Sequence, residues 1–224
     1  MIYFITGIDT SVGKTFATGL MARYLLQKGY RVVTHKLTQT GSAKPAEDIQ
    51  IHRKLMGIDL LVEDHSGLTC PYTFPLPASP HLAAQVAGEV IDPDIIRDSL
   101  TQLEKKYTVV LLEGAGGIMV PLSPGFTTLD FLAQLGYPTL VVTSPRLGSI
   151  NHALLTLKVL QGAKIPVQGI LYNLFEESSP LITQDTREYL ACSFPEIPVI
   201  DLPLYSETDE DFVLPDFSPF FRVS

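Results

Sequence analysis

The chain has 224 residues, 46% of them hydrophobic and 18% charged, with a formal net charge of −8. This composition excludes a disordered chain, and the acidic balance argues against a nucleic-acid binder that relies on a broad basic face. The length suffices to bury a core without disulfides or a structural metal, and one domain over residues 1–224 is expected.

In chain order, IYFIT (residues 2–6) reads as a short apolar strand, followed by a helical pattern through LMARYLLQKG. YRVVTHK (30–36) reads as a second strand and EDIQIHRKLMG (47–57) as a helix closed by Gly57. A proline-punctuated loop runs from Ile58 to Pro80. Two helices follow, PHLAAQVAG and DPDIIRDSLTQLEKKY, the second with Ile96, Leu100, Leu103 and Tyr107 on one face. TVVLLE (108–113), PTLVVTS (138–144) and VQGILYN (167–173) read as further strands. Strands apolar on both faces, alternating with helices, predict an α/β domain with a doubly wound, mostly parallel sheet and helices on both faces. The last residues, 206–224, are acidic and then rich in Phe and Pro, and are expected to pack loosely on the surface.

Cys70 and Cys192 sit in unrelated contexts, with no C-x-x-C or Cys/His cluster, so both read as small hydrophobes in a reducing compartment. No leader-like segment and no run of about 18 apolar residues is present, so a cytoplasmic protein without membrane or nucleic-acid partners is expected.

GIDTSVGKT (7–15) lies between the first strand and a long helix, the context of a phosphate-binding loop. The ordinary spacing would put a glycine at position 8, but Ile8 stands there and the glycine is Gly7, so the loop is one residue longer. In such a loop backbone N–H groups surround phosphate oxygens, Lys14 reaches the β- and γ-phosphates, and the Thr15 hydroxyl binds magnesium. Other polar groups gather at predicted strand ends, where ligands bind in doubly wound sheets: Lys36, Glu113 before Gly114, Gly116 and Gly117, and Asn173. Magnesium takes one or two carboxylates with water and phosphate oxygens, so Thr15, Asp48 and Glu113 form a candidate metal set. In SPRLGSINHALL (144–155), Ser149 reads as a helix N-cap, and that helix start could bind a carboxylate.

GIDTSVGKT, HKLTQTG, LEGAGGIMVPL, RLGSINHALLT and YN together resemble the dethiobiotin synthetase family, a P-loop NTPase-like group whose loop, G-x-D-T-x-V-G-K-T, carries the same extra residue. The resemblance runs from Tyr3 to about Pro203. It implies a ligase of biotin biosynthesis: ATP- and Mg2+-dependent carboxylation of 7,8-diaminononanoate with carbon dioxide or bicarbonate, closing a cyclic urea and releasing ADP and phosphate. It implies Lys36 and Lys14 as catalytic, and a nucleotide site from Ser11, Val12, Gly13, Lys14, Thr15 and Phe16 with Asp48, Glu113, Gly114, Ala115 and Gly116. Asn173 would contact adenine, and Leu202, Pro203 and Leu204 would border the purine. Thr40 would contact the substrate, whose tail carboxylate would meet Gly148, Ser149, Ile150 and Asn151 across a homodimer interface. The chain departs from the family pattern at Ser11, where glutamate is common, at Leu37 in place of proline, and at Leu174 in place of an acid.

Two other readings share this kind of loop. An amidating synthetase of the cobyrinate type needs a glutaminase domain, for which no room remains after residue 173. A ParA- or MinD-like nucleotide switch carries an additional lysine early in the loop, where this chain has Ile8, Asp9 and Thr10.

Overall fold

The computed structural model describes residues 1–175, 178–205 and 212–221. The chain starts with β1 (Ile2–Gly7), α1 (Lys14–Gln27), β2 (Val32–Lys36), β3 (Gln39–Thr40) and α2 (Glu47–Met56). It continues through α3 (Val62–His65), β4 (Thr73–Phe74), α4 (Pro80–Ala87), α5 (Pro93–Glu104) and β5 (Val109–Gly117). Then come β6 (Pro121–Ser123), β7 (Phe126–Thr127), α6 (Thr128–Leu135), β8 (Thr139–Thr143), α7 (Ser149–Gly162) and β9 (Val167–Asn173). The last elements are α8 (Pro180–Ser193), β10 (Val199–Leu202) and a 3-10 turn (Ser218–Phe220).

Six strands form one parallel sheet in the order β10-β9-β8-β1-β5-β2. Every residue of β1, β2 and β8 is buried, so both faces of the sheet are covered, as unbroken apolar runs such as IYFI and LVV require. The doubly wound α/β architecture expected above is the one observed. β1 lies between β5 and β8, and the loops leaving β1, β2 and β5 open at the same sheet edge. Within the predicted loop 58–80, α3 and β4 form, and β4 pairs with β3 beside the exit of β2. No helix of the described residues is long and apolar enough to cross a membrane.

Two expectations need correction. Residues 212–221 are not a loose tail: Phe217 and Phe220 are fully buried. Phe217 meets Tyr24 edge-on with centroids 5.5 Å apart, and Phe221 meets Tyr3 at 5.0 Å. A Cβ on Gly169 would lie 2.1 Å from the Phe220 ring, so this ring rests on the bare backbone of β9. The apolar gain of burying several phenyl rings outweighs the entropy of ordering a segment that looks polar at its start. The acidic residues 206–211, and 222–224, lie outside the described residues. The second correction concerns Ser149, which is not an N-cap: Gly148 occupies that place at φ 91°, and Ser149 is the first helical residue.

Candidate active site

The phosphate-loop sequence forms the turn between β1 and α1. Gly13 caps α1 in the left-handed region (φ 86°) with no side-chain cap hydrogen bond among the described residues, which leaves the first-turn N–H groups to an anion. A Cβ on Gly13 would sit 2.0 Å from Nδ2 of Asn173, so only glycine lets β9 approach the loop this closely. Asn173 donates from that nitrogen to the Val12 carbonyl at 3.0 Å. A Cβ on Gly7 would meet Val12 at 2.6 Å and Lys14 Nζ at 3.0 Å, which accounts for glycine at the displaced position. Ser11 absorbs the extra residue with φ 59°.

Lys14 is buried, and its ammonium donates to the Asp9 carbonyl at 2.8 Å. Burial and the neighbouring Lys36 lower its pKa to about 8. Lys36 ends β2 in register with Glu113 of β5. Its Nζ lies 2.7 Å from Glu113 Oε1, 2.5 Å from Asp48 Oδ2 and 3.2 Å from the Gly114 carbonyl. Burial alone would depress Lys36, but the two carboxylates overcome it and hold the ammonium above the ordinary lysine range. Burial would raise Glu113, yet Lys36 and His52 hold it well below the usual carboxylate range. The Thr15 hydroxyl reaches Glu113 Oε1 at 3.2 Å.

Lys14, Thr15, Lys36, Asp48, Glu113 and Asn173 line one cleft of about 570 Å³ with Ser11, Gly13, Phe16, Thr40, Ala115, Gly116, Leu202, Pro203 and Leu204. Val12 and Gly114 stand behind it, contributing backbone carbonyls to Asn173 and Lys36. Gly148, Ser149, Ile150 and Asn151 do not line this cleft. They start α7, beside the Asp9–Arg146 ion pair (2.5 Å) that links the phosphate loop to the β8–α7 turn. Next to them a shallower cavity of about 230 Å³ is lined by Asp9, Met119, His152 and Leu155 among others. The buried Ser149 hydroxyl does not line that cavity and has no hydrogen-bond partner among the described residues.

Sequence reading missed several lining residues: Thr10, Thr38, Gln39, Phe175 and Tyr205. It also missed His52, buried against Glu113 at 2.8 Å. His52 follows Asp48 by four residues and so shares its helix face, the one signal that could have found it.

Among the described residues no cluster of three His, Cys, Asp or Glu side chains could hold a metal by itself. Thr15, Asp48 and Glu113 supply three oxygen-bearing side chains around the phosphate loop. That donor set fits a magnesium ion held otherwise by phosphate and water.

The AAA domain family model matches residues 2–203. A ParA family ATPase from Chlorobium tepidum TLS aligns with a TM-score of 0.54 over 93% of this chain and 85% of its own, at 17% identity, a likeness of fold alone. The "ATP-dependent dethiobiotin synthetase BioD 2" of Pasteurella multocida is 49% identical over 84% of this chain and 89% of its own. The "ATP-dependent dethiobiotin synthetase BioD" of Chlorobaculum tepidum is 50% identical over 88% and 85%. The "BioD 2" relative from Haemophilus influenzae is 48% identical over 82% and 96%. With the phosphate loop, its extra residue and the lysine–carboxylate cluster on one cleft, the chain belongs to the AAA-domain family and, within it, to the ATP-dependent dethiobiotin synthetases.

Proposed function

We propose that the chain is a dethiobiotin synthase, closing 7,8-diaminononanoate and carbon dioxide to a cyclic urea at the expense of ATP. The observation that carries this reading is the Lys36 ammonium between Asp48 and Glu113 on the wall of the phosphate-loop cleft. One amine nitrogen bonds to carbon dioxide and loses a proton, giving a carbamate. A carbamate oxygen takes the γ-phosphoryl group, and ADP leaves. The second amine then attacks the carbonyl carbon of the mixed anhydride and expels phosphate.

Phosphoryl transfer asks the protein for positioning and charge rather than covalent help. Lys14, once turned from the Asp9 carbonyl, pairs with the β- and γ-phosphates, while Lys36 faces the transferring group. The α1 N–H groups hold the phosphate chain. Thr15, Asp48 and Glu113 would hold magnesium, which supplies charge neutralisation at the β- and γ-oxygens. Thr40 lies on the same wall to orient the diamine, and holding it bent makes ring closure intramolecular. Asn173, with one amide N–H engaged by Val12, offers its carbonyl oxygen to the exocyclic amine of adenine, beside Leu202, Pro203 and Leu204.

The substrate carboxylate is assigned to Gly148, Ser149, Ile150 and Asn151 of a second copy in a homodimer. Two observations support this: the buried Ser149 hydroxyl, unpartnered among the described residues, and exposed apolar side chains, Leu147 (87%) just before that helix and Met119 (57%) and Leu155 (58%) on the neighbouring cavity. Cytoplasmic ATP as co-substrate and two free cysteines favour a cytoplasmic location.

The test is phosphate release from Mg-ATP and bicarbonate, with and without 7,8-diaminononanoate, alongside mass detection of the urea. Diamine-dependent phosphate with that product is expected. ATP binding without diamine-dependent turnover would refute the reading.

A further inference from the structure

Glu113 is fully buried at the back of the cleft, and its two oxygens are held from different sides. Oε1 accepts from Lys36 and Thr15, while Oε2 lies 2.8 Å from Nε2 of His52. The terminal torsion of a glutamate is broad and roughly two-fold. Two donors on Oε1 locate one oxygen but leave the carboxylate plane free to turn about it. The contact at Oε2 fixes the plane.

His52 does not line the cleft and is itself fully buried. Its other nitrogen, Nδ1, lies 3.0 Å from the Thr34 hydroxyl. That oxygen also accepts from Arg53 Nη1 at 2.8 Å, and a guanidinium can only donate. The Glu113 carboxylate can only accept, so the ring hydrogen is on Nε2, facing Glu113, and Nδ1 is left to accept the Thr34 hydroxyl hydrogen. Arg53 is clamped in turn by Asp64 through two 2.8 Å bonds. Asp64 accepts from the Leu61 N–H and the Thr69 hydroxyl, each at 2.7 Å. The Thr69 carbonyl receives the backbone N–H of Lys36 at 2.8 Å, so the chain of bonds begins and ends at the lysine–carboxylate pair.

We propose that His52 is a positioning residue for Glu113: the Asp64–Arg53–Thr34 chain fixes its Nε2–H, which sets the carboxylate plane so that Oε1 meets Lys36 and Thr15 at the cleft. The inference rests on the role given above to Glu113 as an oxygen donor beside the nucleotide phosphates. A buried partner that only satisfied the carboxylate would affect folding stability. A partner that orients it also affects what Oε1 can bind.

The experiment is Mn2+ binding followed by electron paramagnetic resonance, on the full chain with a non-hydrolysable ATP analogue. It compares the unmodified protein with His52→Leu, His52→Gln and Glu113→Gln, with melting temperatures measured in parallel. His52→Leu should weaken Mn2+ about tenfold, as losses of partners behind a metal ligand do, and leave metal-free nucleotide affinity within about twofold. His52→Gln, whose amide nitrogen reaches the Nε2 position, should return Mn2+ affinity to within about threefold of the unmodified value. A folded His52→Leu with unchanged Mn2+ affinity, while Glu113→Gln binds weakly, overturns the positioning role alone. Equal losses in the Leu and Gln variants overturn the assignment of the donor to Nε2. Unchanged affinity in Glu113→Gln removes the Glu113 reading and this inference with it. If His52→Leu fails to fold, His52→Asn, whose amide stops short of Glu113, replaces it under the same criteria.

Discussion

Nζ of Lys36 lies 2.7 Å from Oε1 of Glu113, its register partner on the adjacent parallel strand, and both side chains are almost wholly removed from water. A lysine in this position is costly to bury and is stable because Glu113 and Asp48 share its charge.

Removing that charge should therefore be felt twice. Lys36→Met leaves two carboxylates facing each other and should cost about 3–5 kcal/mol of stability, eased where Glu113 takes up a proton. Turnover should drop about a hundredfold or more, since the charge facing the phosphoryl group is gone. Urea unfolding and diamine-dependent phosphate release measure the two effects separately. A variant of native stability and near-native turnover would contradict the cluster's assignment.

Asn173 should set the choice of base. One of its two amide N–H groups donates to the Val12 carbonyl and holds the amide in one orientation, so the oxygen given to the base accepts from the amine of adenine and opposes the carbonyl of guanine. ATP should bind about tenfold more tightly than GTP, the worth of a single buried hydrogen bond, and Asn173→Leu should erase most of that ratio. Calorimetric titration with both nucleotides gives it directly. Equal affinities for the unmodified protein would refute the assignment.

His35 points to a pH effect on folding. It is fully buried, with Nε2 2.9 Å from the Ser99 hydroxyl and Nδ1 without a partner among the described residues. Ser99 donates to the Ile96 carbonyl, so it accepts from His35 Nε2–H, and a second ring proton would be buried unpaired. Burial lowers the His35 pKa from 6.5 to about 3. The unfolded chain therefore binds this proton first. The penalty is absent above pH 6.5, grows as pH falls and levels off near pH 3. From this residue, about 2–3 kcal/mol should be lost on descending about two pH units below 6.5. Urea unfolding across that range should show His35→Phe with a shallower slope, by up to one proton. Identical slopes would mean the ring is charged in the folded protein.

Phe220 tests the closing segment. Its ring lies on Gly169 of β9 with no exposed surface, so Phe220→Ala should destabilise by about 3–5 kcal/mol. A loss below about 1 kcal/mol in denaturant titration would return this segment to the surface.

Much of this architecture was legible because one-dimensional signals carried it. The phosphate loop announced itself by Gly7, Gly13, Lys14 and Thr15 between a strand and a helix. Gly57 marked the end of α2 and adopts the left-handed C-cap conformation. Lys36, Glu113 and Asn173 share one cleft because strand ends in such a sheet converge. The rest depended on contacts between distant parts of the chain. Ser149 has the chemistry of an N-cap, but the left-handed turn at Gly148 moved it one place into the helix. Phe217 and Phe220 follow an acidic run that suggests solvent, and only the bare backbone at Gly169 reveals where the Phe220 ring can land. His52 looked like one more helix residue because its partner, Glu113, is 61 positions away.

The strand order has a consequence for the making of this protein. β1 is synthesised before the other elements described, yet its neighbours on either side are β5 and β8, with Ile2 opposite Val110 and Phe4 opposite Thr139. At ribosomal speeds of about 5–20 residues per second, the strand that carries the phosphate loop waits at least about five seconds for its first neighbour. Until then its apolar side chains have no sheet to join. A chain interrupted before β5 has neither Glu113 nor the wall against which Lys36 is held, so a nascent fragment can carry the whole loop sequence and still have no site at which to spend ATP.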